Sequence, residues 1–234
     1  MIFNSSGVLT PRISCYYIKS EYIYNNNNNH INMIDVVVSR YKKEVDWVSR
    51  LKGINKIFIY EKEIPESKYN IPVNKGNEAS VYLKYIIDHY DNLSDFTFFT
   101  HDDEYAWHHS GSIVDKFDEA VSSNQLYYNI NDQCILGSIK ENIWYYDILE
   151  WYDKCIEKYI PIKSLPYEDW TIDYRGSAQF LVNKSLIRCL PKIFYKDLYD
   201  WIIETDMSSF KSGRFLEWTW HIFWVVYPNM SHHI

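Results

Sequence analysis

Ile34-Asp35-Val36-Val37-Val38-Ser39 is β-branched and almost continuously apolar, the composition of a strand covered on both faces. Lys56–Tyr60 (KIFIY) and Phe96–Thr100 (FTFFT) repeat the pattern. Between them lie a short helical stretch, Glu44–Leu51, and the segment NKGNEASVYLKYIIDHY. The latter predicts a helix from about Asn77, with Val81, Leu83, Tyr85, Ile86 and Tyr90 broadly on one side and Glu78 in its first turn. Farther along, Ser112–Ser122 and Ile143–Tyr159 read as helices, Leu126–Leu136 as strand-like and Gln179–Val182 as a strand. Pro191–Glu204 and Ser212–Tyr227 read as two closing helices. Strand, helix, strand, helix, strand predicts an α/β domain with a mostly parallel central sheet flanked by helices.

The first 32 residues have no sustained period and end in the run Asn25–Asn29, so the sequence divides into an accessory segment, 1–32, and one domain, 33–234. With 24 basic and 31 acidic residues the net charge is -7, so no positive field favours a nucleic acid or an anionic membrane. No apolar run is long enough to span a bilayer and no signal peptide is readable at the start. The four cysteines form no C-x-x-C pair and read as buried thiols of a soluble protein in the cytoplasm or another reducing compartment. Phe, Trp and Tyr make up 18% of the chain, enough to suggest stacking on sugar or nucleobase faces beside ordinary core packing.

Ligands of α/β sheets bind beyond the carboxyl ends of the strands, which directs attention to Thr100–His109, THDDEYAWHH. Three consecutive acids repel one another. Mg or Mn bound through Asp102, Asp103 and Glu104 would relieve that repulsion, and His101, His108 and His109 widen the choice to transition metals; a solvated acidic turn is the alternative. The spacing is not that of zinc proteases or deaminases, and P-loop, G-x-G-x-x-G and G-x-S-x-G motifs are absent from the sequence. In SGRFLEWTWHIFW, 212–224, a helix would place Glu217 and His221 four apart on one face, with Arg214 a turn before Glu217. A carboxylate on so apolar a helix needs a partner. Either Arg214 pairs with it inside the fold, or Glu217 is a general base and His221 a metal or phosphate ligand. Asn74, Gly76 and Asn77 suit either a plain helix-capping turn or a phosphate-binding loop, and Gly176 precedes a strand where a ligand could approach closely.

The segments Asn74-x-Gly76-x-Glu78, His101 with Trp107-His108, Ala178-Gln179-Phe180, and Ser212-Gly213-Arg214 with Glu217 and Trp220-His221 closely resemble the uncharacterised family called domain of unknown function 3431. The order of features is also similar to glycosyltransferases of the GT-A type. That similarity implies a Rossmann-like nucleotide-sugar fold in which Ser39, Arg40, Tyr41, Asn74, Gly76 and Asn77 contact the nucleotide. It implies a divalent metal, Mn or Mg, at His101, Asp102, Asp103, Glu104 and His221, with Glu217 as the base. Trp107, His108, Gly176, Gln179, Arg214 and Trp218 would then meet the acceptor. The implied activity is metal-assisted transfer of a sugar from a nucleotide sugar, UDP-linked by preference, to a hydroxyl of a glycan or protein. A metal-dependent hydrolase of phosphoesters or glycans and a non-catalytic carbohydrate-binding domain are the alternatives. The motif here is HDDE and not a clear Asp-x-Asp.

Overall fold

The computed structural model describes residues 32–107, 109–132, 137–161, 171–172 and 178–231. The accessory segment expected at 1–32 falls almost wholly outside them, as do Cys15, Cys134, His108, Trp170 and Gly176.

Three parallel β-strands open the fold: β1 (Ile34–Arg40), β2 (Lys56–Lys62) and β3 (Asn70–Ile71). They are followed by helix α1 (Ala79–His89), strand β4 (Phe96–His101), helix α2 (Ile113–Ser122) and strand β5 (Tyr127–Asn129). A small separate ladder joins β6 (Gly137–Ser138) to β7 (Thr171–Ile172), with α3 (Tyr145–Cys155) between them in sequence. Strand β8 (Phe180–Asn183) leads into α4 (Lys184–Ile187), α5 (Lys192–Glu204) and α6 (Ser209–Glu217). A π-helical turn, Ile222–Val226, precedes the last helix, α7 (Tyr227–Ser231).

The main sheet has the order β3-β2-β1-β4-β8-β5. Strands β3, β2, β1 and β4 are mutually parallel, but β8 runs antiparallel to both β4 and β5, so the sheet is mixed and not mostly parallel. The expectation fails because an apolar run such as Phe180-Leu181-Val182 reports burial on both faces and carries no information on direction.

Alternation along each strand feeds two cores. Val37, Phe99, Phe180 and Val182 point to one face, packed with α1, α3, α5, α6 and the π turn. Val36, Val38, Phe98 and Leu181 point to the other, under α2 and the 3-10 turn Asp46–Arg50. The three valines of β1 are fully buried, each contributing roughly 1.5–3 kcal/mol of burial free energy. Asp35, buried in the same strand, is satisfied by the Tyr85 hydroxyl (2.8 Å) and the Asn55 amide (2.8 Å).

The closing helix expected over Ser212–Tyr227 is broken. Helix α6 ends at Glu217, the Thr219 hydroxyl donates back to the Phe215 carbonyl (2.9 Å), and the chain resumes as helix and then as the π turn. Such back-bonding by threonine bends helices. The single helical face expected to hold both Glu217 and His221 therefore does not persist. The thiols also differ from expectation, because Cys155 is buried but Cys189 is exposed.

Candidate functional site

Strand β1 has β2 on one side and β4 on the other, so the chain changes winding direction between β1 and β4, and the carboxyl ends of these strands are where open α/β sheets bind their ligands. Two layers of charged residues occupy this end of the sheet.

The outer layer is the loop after β4, clasped by the loop after β1. The Tyr41 backbone N–H donates to Asp102 Oδ2 (2.7 Å), and the indole N–H of Trp47 donates to the Asp102 carbonyl (3.1 Å). Lys43 pairs with Asp103 (2.5 Å) and Arg50 with Glu104 (2.5 Å). Glu104 also accepts from Ser112, the N-cap residue of α2, and these two partners, Arg50 foremost, hold its carboxyl below the usual range. Arg40 is spent on Glu61 (2.8 Å). The mutual repulsion of Asp102, Asp103 and Glu104 is thus already relieved by protein cations and a backbone donor.

His101, Asp102 and Asp103 still bring one imidazole nitrogen and two carboxylate oxygens within 4.8 Å of one another, a donor set that fits Mn or Mg. Glu104 and His221 fall outside this group. Glu104 is turned to Arg50 and Ser112, and His221 is fully buried beside the π turn, next in sequence to the buried Trp220 and Ile222.

The inner layer was only partly foreseen. Lys62, the last residue of β2, is buried and donates to the Asn77 carbonyl and to Asn74 Oδ1 (3.4 Å). Burial lowers its pKa, opposed by the negative charges of Glu78, Asp102 and Glu63. Glu78 is the N-cap residue of α1. Burial raises its carboxyl, opposed by its own backbone N–H and by the charges of Lys62 and Arg214. On α6, Glu217 Oε1 accepts from Arg214 Nη1 (2.7 Å), yet burial, reinforced by the Glu78 charge, outweighs that guanidinium and pushes the Glu217 carboxyl up to about 7. The Tyr82 hydroxyl, which donates to the Ala178 carbonyl (2.8 Å), is raised by burial and by the charges of Glu78, Asp102 and Glu217. Three carboxylates therefore act on Tyr82, while the cations Lys62 and Arg214 act on Glu78 and Arg214 also on Glu217.

The loop 74–78 and α6 interlock to build this layer. Gly76 has φ +64°, and a Cβ there would lie 2.0 Å from Ile202 Cδ1 of α5. Its glycine is accounted for by a left-handed turn and this close approach, without a phosphate. A Cβ on Gly213 would lie 2.9 Å from Asn77 Nδ2, so the second motif glycine lets α6 pack on the first motif's loop. Lys75 donates to the Thr205 and Met207 carbonyls, the latter at 2.9 Å, and Ser209 donates to the Asn74 carbonyl (2.7 Å).

The remaining expected residues scatter. Ser39 is buried at the end of β1, and Tyr41 is partly exposed above it. Gln179 is fully buried and accepts from the Thr100 hydroxyl (2.7 Å), a bond that ties β4 to the residue entering β8. Trp107 is 63% exposed on the loop after β4. Trp218 stacks on Trp144 (5.8 Å between centroids). A lysine ending an apolar strand reads as a solvated edge, so the sequence alone does not mark Lys62 as a site residue. From the sequence Glu78 is a helix-dipole partner and a motif residue, and only its burial in the fold gives it a place in the site.

Residues 36–232 match the family of proteins of unknown function DUF3431, and the chain belongs to that family. No curated protein and no solved structure matches it. Among the described residues no helix is long and apolar enough to cross a membrane.

Proposed function

We propose that the protein is a nucleotide-sugar-dependent glycosyltransferase whose centre lies beyond the carboxyl ends of β1 and β4. The observation that carries this reading is Glu217: a buried carboxyl hydrogen-bonded to Arg214 and pushed up to about 7 by burial and the Glu78 charge, in a fold that also gathers potential metal ligands at the switch point of its α/β sheet. The order of features that resembles the GT-A type supports the same assignment, with the parallel half β3-β2-β1-β4 as the nucleotide-binding half.

Burial suits Glu217 to act as a base. Desolvation, reinforced by the Glu78 charge, keeps a proton on the Glu217 carboxyl up to about pH 7. That proton leaves Glu217 near neutral pH, and the freed carboxylate accepts the proton of an acceptor hydroxyl as its oxygen bonds to the anomeric carbon. The bond from that carbon to the diphosphate oxygen breaks, and the nucleoside diphosphate departs with the electron pair. Arg214 keeps the carboxylate oriented, and Lys62 supplies a buried positive charge on the side of β2. A divalent cation at His101, Asp102 and Asp103 would supply charge neutralisation for the diphosphate.

Thermal unfolding against UDP-, GDP- and CMP-sugars, with manganese or with EDTA, tests the reading. A rise in Tm that requires one nucleotide sugar supports it, and a rise lost in EDTA supports the metal. If no nucleotide sugar raises Tm under either condition, the transferase reading fails.

A further inference from the structure

Helix α6 carries a second set of side chains that lead away from Glu217. Arg214, which holds Glu217, lies over the Phe210 ring at 5.2 Å from its centroid. Phe210 meets Trp144 edge-on (5.9 Å), and Trp144 is flanked by Trp218 and by the Lys211 ammonium (5.9 Å). Lys211 in turn pairs with Asp147 of α3 (2.8 Å). Asp147 opens a cavity of about 240 Å³ between α3 and the carboxyl end of α5, lined also by Glu150, Trp151, Lys154, Trp201 and Asp206.

The chemistry of this track is specific. Positions 147, 150, 151 and 154 lie on one face of α3, so two acids, an indole and an ammonium group share the cavity wall, with Glu150 paired to Lys154 (2.6 Å). Trp151 and Trp201 meet at 5.5 Å, and both pack on the buried Phe215. The buried indole N–H of Trp151 has no acceptor among the described residues. Phe210 and Tyr146 are 57% and 82% exposed, among the most exposed large apolar side chains of the described fold. Flat aromatic surface interleaved with carboxylates and amines matches the amphipathic faces of pyranose rings, which offer C–H groups to the aromatics and hydroxyls to the charges. A purely apolar partner would leave Asp147, Glu150 and Asp206 desolvated.

We propose that the face between α3, α5 and α6 binds a carbohydrate chain, with one sugar ring in the cavity and its neighbours along Trp144 and Phe210 toward Glu217. Naming that chain as the acceptor rests on the transferase reading; its binding does not.

The test is calorimetric titration of the full chain with cello-, malto-, manno- and chito-hexaose, without nucleotide, beside NMR of the indole N–H signals. One of these binds. The Trp144, Trp151 and Trp201 signals move, while that of Trp47, on the other face of the sheet, stays. The exposed double variant Phe210→Ala/Tyr146→Ala weakens binding about tenfold or more, and Glu150→Gln also weakens it. Absence of binding by every hexaose overturns the proposal, as does binding that none of the three surface substitutions weakens. A concentration-dependent dimer that Phe210→Ala/Tyr146→Ala dissolves would assign the face to a second copy and overturn it as well. Hexaose binding with no nucleotide-sugar response would sink the transferase reading alone, and the reverse pattern would sink this proposal alone.

Discussion

Replacing Glu217 with Gln alters stability with a sign and a pH dependence that follow from its burial. An ordinary glutamate titrates near 4.5, whereas the folded chain holds this one at about 7. The folded state therefore binds a proton more tightly than the unfolded one between those values. Stability associated with the protonated form is fully present below 4.5 and declines until the pH passes about 7. At about 1.4 kcal/mol per pH unit, the wild type forfeits roughly 2.5 kcal/mol between pH 5 and pH 8. Glutamine keeps a carbonyl for Arg214 but has nothing to ionise. Urea unfolding at pH 5, 6, 7 and 8 should then show a Glu217→Gln advantage that is small at pH 5 and about 2 kcal/mol larger at pH 8. The same titration sets an acidic limb near pH 7 in any transfer activity, rising with pH as the base is freed. Parallel stability curves for wild type and variant would mean that Glu217 is solvated in solution, and its assignment as a base would fall with them.

Three further outcomes are expected. Gly76→Ala should destabilise by roughly 2–4 kcal/mol in urea, since its Cβ meets Ile202 at 2.0 Å, and Gly76→Ala/Ile202→Ala should recover none of the roughly 1 kcal/mol cost of positive φ. Lys62→Met should cost about 3 kcal/mol at pH 8 and distinctly less at pH 5, where Glu217 takes up a proton and the inner layer loses a negative charge, as measured by thermal and urea unfolding at both pH values. Because Lys43 occupies Asp103, Lys43→Ala should raise manganese affinity several-fold in EPR titration; an unchanged or weaker affinity would remove Asp103 from the ligand set.

The parts of the fold that were legible are those in which one physical quantity decides the outcome. Val36-Val37-Val38 and Phe98-Phe99 announce strands buried on both faces, and β1 and β4 lie side by side in parallel at the centre. Strand direction is a property of connection and was not legible in Phe180-Leu181-Val182. The break after Glu217 depends on one hydroxyl, that of Thr219, choosing the Phe215 carbonyl in a stretch whose apolar periodicity runs on unbroken. In the site, Arg214 with Glu217 was legible from three-residue spacing on a helix. The role of Lys62 was not, because its burial is created by loop 74–78 and α6, which lie distant in sequence from β2 and close over it.

The two glycines of the matching motifs have a common explanation in this closure. Gly76 lets the loop press against Ile202, Gly213 lets α6 press against Asn77, and the Asn77 carbonyl holds Lys62. A side chain at Gly76 would push loop 74–78 away from α5 and one at Gly213 would push α6 away from that loop; either would admit water around Glu78 and Glu217 and return both carboxyls toward ordinary values, since burial is the largest cause of each rise. The glycines therefore act on the chemistry through desolvation and without touching a ligand. The outer layer works in the opposite sense, because Lys43 and Arg50 keep Asp103 and Glu104 ion-paired while remaining half-exposed and exchangeable. A cation or an anionic substrate reaching this end of the sheet would compete with surface pairs worth little, while the costly buried charges stay fixed behind them. That division, labile charges at the surface and buried carboxyls of raised pKa within, is what a site for an anionic donor and a neutral hydroxyl acceptor requires.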